Sequence, residues 1–349
     1  MTRIAISIHH PAHVHFFKNA IKSIEDSEEH ETFVFVRDKE IITKLLEEYE
    51  IDYEKLSENF GSKRDLFINT VKYEYFLFKK LRRLKPDVVL SVGSGALTAY
   101  IAKLVGATCI AFNDSESAQF QNKIGHAMVD ELYTPTQFEH DLGEKHVRYD
   151  GYHELAYLQP DRFSPDPARL REHGVDPKEE FYVLRFIAWG AHHDVGEAGL
   201  SPEAQRELVS TLEETGTVYI TTEDELPAEF EEYRLPVPPH LIHDLLYYAD
   251  LYVGDSQTMA TEAAVLGTPS IRSNSFAGDD DMSNFVELEE EYGLLYSTPD
   301  EDEAIRKVRE LLSDPDLAET WRQRQERLLE DKTDVTRVLV DAIAEGETA

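Results

Sequence analysis

The stretch of this sequence best suited to binding a ligand is a short polar turn between an apolar strand and a helix. Leu251 to Val253 is apolar, Gly254 to Gln257 favours a turn, and the small and apolar residues up to Leu266 have helical spacing. Gly267 and Pro269 end that helix and lead into a further strand. Free backbone N–H groups at the start of such a helix favour a phosphate group.

Polar side chains of this turn and helix can extend a phosphate site toward a ribose. Hydroxyl and amide groups that donate to phosphate are available on Ser256, Gln257 and Thr258. Glu262 lies one helical turn beyond Thr258, where its carboxylate can accept both hydroxyls of a ribose. The alternative from spacing alone is that Asp255 or Ser256 caps the helix and that Glu262 is a solvated surface residue.

Histidines crowd the first turn of the chain, at His9, His10, His13 and His15. Neutral imidazoles are common metal ligands, but helical spacing sends His13 and His15 to different faces and no cysteine joins them. We therefore favour a turn and helix-start role over a metal site, and we expect neither a metal nor a cofactor.

A second polar loop follows the strand Phe181 to Ile187 and contains His192, His193 and Asp194. This group can meet a leaving-group phosphate, or it can be a polar loop in which the aspartate holds a histidine. Arg185 lies inside the preceding strand, so its cation faces either solvent or a ligand site.

Strands alternate with helices along the whole chain, which predicts parallel sheets. Two sets of such units predict an α/β fold of two doubly wound, Rossmann-like domains facing each other across a cleft. A proline-rich stretch at residues 159–177 marks the boundary between domain 1–160 and domain 161–349, and we expect the last helices to pack back on the first domain. Ligands bind beyond the carboxyl ends of strands, which makes candidates of the turns at 9–13, 93–95, 113–117, 188–194 and 254–258.

Composition narrows the classes of partner. The chain has 349 residues with 69 acidic and 35 basic side chains, a net charge of −34 that repels nucleic acid and anionic membrane. Such a surface is typical of proteins from a high-salt cytoplasm. The single cysteine, Cys109, indicates a reducing interior, and no signal segment or bilayer-length apolar run is present. We expect a soluble, cytoplasmic protein and leave a homodimer open.

Motifs in the second half resemble the C-terminal motif of the glycosyltransferase-B superfamily. Gly254-Asp255-Ser256-Gln257, with Glu262 and Arg272, is similar to the branch of non-hydrolysing UDP-N-acetylglucosamine 2-epimerases, where the turn holds the diphosphate and the glutamate the ribose. The whole chain also resembles an archaeal family of unknown function with this fold, through residues 10–17, 188–194 and 259–264. The resemblance implies nucleotide-sugar binding, with a UDP-linked sugar as substrate.

Two departures from the epimerase pattern argue against epimerase chemistry. The epimerase has a catalytic aspartate where this chain has Ser94, and an essential glutamate where it has Gln119-Phe120-Gln121. Asp114 aligns with a further epimerase glutamate. We therefore expect a glycosyltransferase that moves a sugar from a nucleotide diphosphate to an acceptor hydroxyl, with an epimerase or a non-catalytic nucleotide-sugar-binding protein as alternatives.

The resemblance also distributes roles among the candidate residues. His13 is similar in position to a histidine in the lipid-II-forming branch of this fold, so His13 or Asp114 is the expected base that takes a proton from the acceptor. His193 and Arg272 are expected to offset charge on the departing diphosphate. The secondary candidates are His10, Ser94, His192 and Asp194.

Overall fold

The computed structural model describes residues 1–27, 29–57, 63–93, 96–116, 127–186, 199–222, 225–278 and 281–346. The chain divides into two compact units. Met1–Arg162 and the residues from Lys332 onward form the first, and Phe163–Asp331 forms the second. Each unit contains its own parallel sheet, so the α/β fold class and the two Rossmann-like domains predicted from the sequence are confirmed.

The described elements follow each other in regular alternation. The strands are β1 Thr2–Ile8, β2 His30–Arg37, β3 Tyr53–Ser57, β4 Val88–Val92, β5 Thr108–Phe112, β6 Glu131–Pro135, β7 His146–Tyr149, β8 Phe181–Phe186, β9 Thr217–Thr222, β10 Leu251–Gly254, β11 Ser270–Ser273 and β12 Leu295–Thr298. The helices are α1 Pro11–Glu25, α2 Glu40–Glu48, α3 Lys63–Leu84, α4 Ala96–Val105, α5 Leu155–Leu158, α6 Pro167–Glu172, α7 Pro202–Glu213, α8 Ile242–Tyr248, α9 Gln257–Leu266, α10 Ser283–Val286, α11 Glu301–Leu312, α12 Leu317–Asp331 and α13 Val335–Gly346. Short 3-10 turns at Ala228–Tyr233 and Pro239–Leu241 and a π-turn at Glu287–Glu291 complete the list.

The first unit is built on a sheet in the order β3-β2-β1-β4-β5-β6-β7. Its central strands are apolar because helices cover both faces: Ile4, Ile6, Val88 and Leu90 are fully buried. The chain reverses its direction of travel across the sheet between β1 and β4, and the carboxyl ends of both strands lie at one edge. Polar side chains that follow β1, β4 and β5 therefore collect at this edge.

Two edge strands, β3 and β7, were not predicted. Their sequences, Tyr53–Ser57 and His146–Tyr149, are short and mostly polar, because an edge strand buries less of its surface than a central one. Periodicity in four or five residues is too weak a signal without the neighbouring strand that supplies the hydrogen bonds.

The second unit is built on a sheet in the order β12-β11-β10-β8-β9. β10 lies between β8 and β11, with Gly254 in register with Arg185 on one side and Arg272 on the other. This register brings both arginines to the strand end from which the polar turn departs.

The end of the chain belongs to the first unit. Thr336 at the start of α13 donates a hydrogen bond of 2.7 Å to the carbonyl of Ala156. Arg162 pairs with Asp334 at 2.8 Å, and Lys332 pairs with Asp150 at 2.8 Å. Among the described residues, no helix combines the length and the apolarity needed to cross a bilayer.

Candidate functional site

The turn between β10 and α9 has the strand, turn and helix geometry that the sequence predicts. Ser256 caps α9, with its hydroxyl accepting a hydrogen bond of 3.4 Å from the backbone N–H of Met259. Gln257 and Thr258 are half-buried in the first turn of the helix. A side chain at Gly254 would come within 2.7 Å of the Arg185 carbonyl and of the Tyr252 hydroxyl, so only glycine fits at this strand end.

Glu262 is buried and has a buried partner. Its Oε1 lies 3.0 Å from Nε2 of His243, which projects from α8. Both side chains are almost inaccessible to solvent, at 5% exposure for Glu262 and 2% for His243. The alternative of a solvated surface glutamate is therefore wrong. His243 is not among the residues predicted from the sequence, because nothing local indicates that α8 packs against α9.

Arg272 is fully buried at the end of β11. One of its terminal nitrogens donates to the carboxylate of Asp281, and the guanidinium lies 3.6 Å from the centre of the Phe285 ring. Burial lowers the pKa of Arg272, and the charge of Asp281 opposes that shift. Its Nε and Nη1 atoms are buried with no hydrogen-bond partner among the described residues. Two donor nitrogens at this strand end are thus unsatisfied within the described part of the chain.

Arg185 and Tyr252 complete what we call the strand-end cluster: Arg185, Tyr252, Gly254 and Arg272. Arg185 Nη1 donates to the Thr221 hydroxyl at 3.1 Å, and Arg185 is half-buried at the end of β8. Burial and the charge of Asp255 raise the pKa of Tyr252 well above its ordinary value, and the charges of Arg185 and Arg272 oppose that shift. Two guanidinium groups at the N-terminal end of a helix suit a diphosphate.

In the first unit, His10 begins α1. Its Nδ1 accepts a hydrogen bond of 3.2 Å from the backbone N–H of Ala12, Pro11 occupies the first helical position, and the His10 side chain is exposed. This is the helix-start role favoured by the sequence.

His13 is half-buried one turn further along α1. Burial lowers its pKa well below the usual value, and the neighbouring imidazoles of His10, His9 and His153 add to that shift. Its Nδ1 is buried with no hydrogen-bond partner among the described residues. His13 is therefore neutral near pH 7, the form of imidazole that accepts a proton.

Asp114 is paired with His153, a histidine that is not among the site residues predicted from the sequence. Its Oδ2 lies 3.2 Å from Nδ1 of His153, which is buried against Phe16 with the ring centres 4.5 Å apart. Burial lowers the pKa of His153, and the charge of Asp114 opposes this. A carboxylate on Nδ1 fixes the imidazole tautomer and leaves Nε2 as the acceptor, and Nε2 is buried with no partner among the described residues.

The only signal that could have identified His153 is its place after β7, at the carboxyl edge of the sheet. Because β7 was not predicted as a strand, the turn at residues 150–153 was not recognised as a candidate. The structure therefore places His13, Asp114 and His153 in one region of the first unit, which we call the histidine–carboxylate group.

Four sequence candidates, Ser94, His192, His193 and Asp194, lie outside the described residues. Within the described part of the chain, no three histidine, cysteine or acidic side chains are grouped closely enough to hold a metal ion.

Solved structures with a similar fold include a UDP-GlcNAc 2-epimerase and a forosaminyltransferase. The UDP-GlcNAc 2-epimerase from Neisseria meningitidis bound to UDP-GlcNAc has a TM-score of 0.65 at 12% identity, covering 99% of this chain and 100% of that one. Spinosyn forosaminyltransferase SpnP has a TM-score of 0.64 at 13% identity, covering 98% of this chain and 99% of that one. At these identities the likeness shows the fold.

Sequence comparison leads to proteins whose activity is not described. The uncharacterized protein MJ0665 of Methanocaldococcus jannaschii is 24% identical over 277 residues, which are 76% of this chain and 80% of that protein. A family model described as "Protein of unknown function (DUF354)" matches residues 2–347. The chain therefore belongs to the DUF354 family.

Proposed function

We propose that this protein is a glycosyltransferase that uses a nucleotide-diphosphate sugar as donor. The observation that carries the proposal is Arg272, a fully buried cation at a strand end with two N–H donors unused among the described residues, in register with the glycine that precedes α9. Asp281 pairs with one terminal nitrogen of this guanidinium, and leaving the other donors buried without an acceptor is costly unless a further anionic group, such as a diphosphate, accepts from them.

The donor fits the second unit by charge and by position. Arg185 and Arg272 flank the start of α9 and offset the charge of a diphosphate, while Gln257 and Thr258 add side-chain donors. Glu262 lies one helical turn further along α9, where it accepts hydrogen bonds from ribose hydroxyls. His243 keeps this carboxylate in a fixed orientation.

The proposed proton acceptor is the imidazole of His13. The acceptor oxygen forms a bond to the anomeric carbon as the bond from that carbon to the diphosphate oxygen breaks. The hydroxyl proton moves to the neutral imidazole of His13, and the electron pair leaves with the diphosphate. Asp114 orients His153 and offsets positive charge that develops near His13.

The test begins with binding. Thermal-shift measurements with nucleoside diphosphates in concentrated KCl identify the ligand, because a ligand at 100 times its Kd adds about 2.7 kcal/mol to stability. Calorimetry of Arg272→Lys, which keeps the charge and loses the planar fork, is expected to show weaker binding by about 1–3 kcal/mol. The control is Arg206→Lys, at an exposed ion pair of the same unit. Equal affinity of both variants and the natural protein would remove Arg272 from the site.

Catalysis is tested on the ligand found by binding. Slow hydrolysis of the nucleotide sugar without an acceptor supports an enzyme, and tight binding with no turnover in cell extract indicates a non-catalytic binding protein. His13→Gln is expected to reduce turnover by about 10²–10⁴-fold with little change in binding. His173→Gln, at an exposed position in the second unit, serves as the control.

Likeness to an epimerase structure keeps epimerisation as the second candidate. Epimerisation beside the anomeric carbon exchanges a C–H proton with solvent, whereas glycosyl transfer leaves that bond intact. Because Ser94 replaces an acidic residue, we expect no deuterium in the sugar after incubation with UDP-N-acetylglucosamine in heavy water. Loss of the ring-proton signal beside the anomeric proton in the NMR spectrum would establish the epimerase instead.

A further inference from the structure

The outer faces of helices α3 and α4 differ from the rest of this acidic chain in their exposed apolar and cationic side chains. Their inner residues, including Tyr73, Leu77, Ala99 and Ala102, share one core with the sheet, so both helices lie on the same side of it. The opposite faces of the two helices therefore point away from the sheet together.

This outer face is apolar to an unusual degree. Of the twelve large apolar side chains that are exposed among the described residues, six lie on these two helices, each with 42–56% of its surface accessible. They are Val71, Tyr75, Phe76, Leu97, Tyr100 and Leu104. A contiguous exposed apolar patch marks an interaction site, because solvated monomers rarely keep one.

The same face is also cationic. Between residues 71 and 84 and between 96 and 105, the exposed charged side chains are Lys72, Lys79, Arg82, Arg83 and Lys103. The single acidic residue in these two stretches, Glu74, is half-buried, and burial raises its pKa to about 7. In a chain with 69 acidic and 35 basic residues, five exposed cations and no exposed acidic side chain within 71–84 and 96–105 are a local excess of positive charge.

We propose that this α3–α4 face, formed by the six apolar and five cationic side chains named above, binds the surface of an anionic lipid bilayer. Aromatic and aliphatic side chains enter the boundary between headgroups and acyl chains, and the lysines and arginines pair with lipid phosphates. Lys79 already lies over the ring of Tyr75, 5.3 Å from its centre, so cation and aromatic ring are presented together.

Other occupants fit this surface less well. A symmetric dimer through this face would bring ten cations into one interface, and the stretches 71–84 and 96–105 offer no exposed carboxylate to pair with them. A nucleic acid could contact the cations and the aromatic rings, but it would leave the aliphatic side chains of Val71, Leu97 and Leu104 without an apolar partner. The net charge of −34 predicts repulsion from anionic membranes, but charges beyond about 10 Å are screened at 0.1 M salt, so the local face decides the contact.

Vesicle flotation tests the proposal with the full chain, in the lowest KCl concentration at which circular dichroism shows the fold intact. We expect the protein to float with vesicles containing phosphatidylglycerol and not with vesicles of phosphatidylcholine alone. Lys79→Gln/Arg82→Gln/Arg83→Gln is expected to lower the partition coefficient by about a hundredfold, since each cation near the bilayer contributes about fivefold. Arg206→Gln/Arg322→Gln/Arg327→Gln, which removes three exposed cations of the second unit, should leave flotation unchanged.

A second variant separates insertion from charge attraction. Tyr75→Ser/Leu104→Ser should lose flotation, whereas Tyr247→Ser/Val286→Ser, at exposed apolar positions of the second unit, should not. The proposal is overturned if the natural protein does not float with anionic vesicles or if the variants float as well as it does. It is also overturned if the natural protein does not float but sediments as a dimer, and if Tyr75→Ser/Leu104→Ser converts that dimer to a monomer.

Discussion

At the scale of single residues, the candidate chemistry depends on buried partners from distant parts of the chain. Asp114 meets His153, and Glu262 meets His243, in both cases with a nitrogen and an oxygen 3.0–3.2 Å apart. Such pairs hold a functional side chain in one rotamer, which lets it meet a ligand without first losing conformational freedom. The polar groups of both units are therefore preorganised by their neighbours.

Glu262→Gln is expected to weaken binding of a nucleoside diphosphate by about 1–3 kcal/mol, because a ribose hydroxyl loses a charged acceptor. The amide oxygen can still accept from His243, so the fold should remain. Calorimetry measures the affinity, and Glu303→Gln, which removes a charge accepting from Tyr296 and Thr298, serves as the control. Unchanged affinity in Glu262→Gln would exclude Glu262 from the ligand site.

His9 predicts a specific dependence of stability on pH. Burial lowers its pKa to about 4, helped by the charges of Arg37 and Lys39. Between pH 6.5 and 4 the unfolded chain binds a proton at this position that the folded chain does not, so the folded state loses stability as the pH falls. The slope for one such group is at most about 1.4 kcal/mol per pH unit.

The comparison of the natural protein with His9→Gln isolates this effect. Denaturant titrations at pH 7, 6 and 5 measure the unfolding free energy of both proteins. As the pH falls, the natural protein should lose stability relative to His9→Gln. Glu74, whose pKa is raised to about 7, contributes with the opposite sign, but it is present in both proteins and cancels in the difference. A difference that does not change with pH would show that His9 is not shielded from protonation.

At the scale of elements, α9 is the helix on which the proposed donor site depends, and the residues at both of its ends define where it begins and stops. Ser256 caps its start, and Gly267 ends it in a left-handed conformation with φ of 80°. Gln325 from α12 lies against Gly267, with its amide donating to the Val265 carbonyl at 3.0 Å. Ser256 thus fixes the N-terminal end of α9, and Gln325 contacts its C-terminal end.

Gly267→Ala should destabilise the protein more than Gly174→Ala. Both glycines have φ near 80°, so both substitutions carry the strain of a left-handed residue, roughly 1–2 kcal/mol. A side chain at Gly267 also comes within 2.9 Å of Gln325, whereas nothing lies within 4 Å of one at Gly174. Denaturant midpoints measure the difference. Equal losses of unfolding free energy in the two variants would show that the Gln325 side chain moves away from residue 267 at no energetic cost.

At the scale of the whole molecule, the main feature is the excess of acidic over basic side chains. With 69 acidic and 35 basic side chains, one-to-one pairing would leave 34 carboxylates without a basic partner. Many of the observed ion pairs are exposed, such as Arg322 with Glu319, and contribute little individually. We therefore expect screening of the remaining carboxylates by salt to stabilise the fold.

We expect the melting temperature to fall on desalting, because the Debye length grows from about 3 Å at 1 M to about 10 Å at 0.1 M salt. Melting curves in molar and in 0.1 M KCl measure this, with sucrose in place of salt as the control for solvent exclusion. Equal melting temperatures in the two salt concentrations would reject the high-salt interpretation of the composition.

The sequence by itself determined the fold class, most strands and helices, and the strand-turn-helix around Ser256 and Glu262. These features are local: periodicity, turn-forming residues and helix stops operate over a few neighbouring positions. The edge strands β3 and β7 were not predicted, because their extended conformation depends on hydrogen bonds to a neighbouring strand.

Only the tertiary structure decided which side chains meet and which face solvent. His153 reaches Asp114 across 39 residues of chain, and the α3–α4 face forms because two helices separated by a strand pack on the same side of the sheet. The registers of β8, β10 and β11 bring Arg185 and Arg272 to either side of Gly254. Contacts of this kind depend on long-range packing and strand register, which local sequence patterns do not encode.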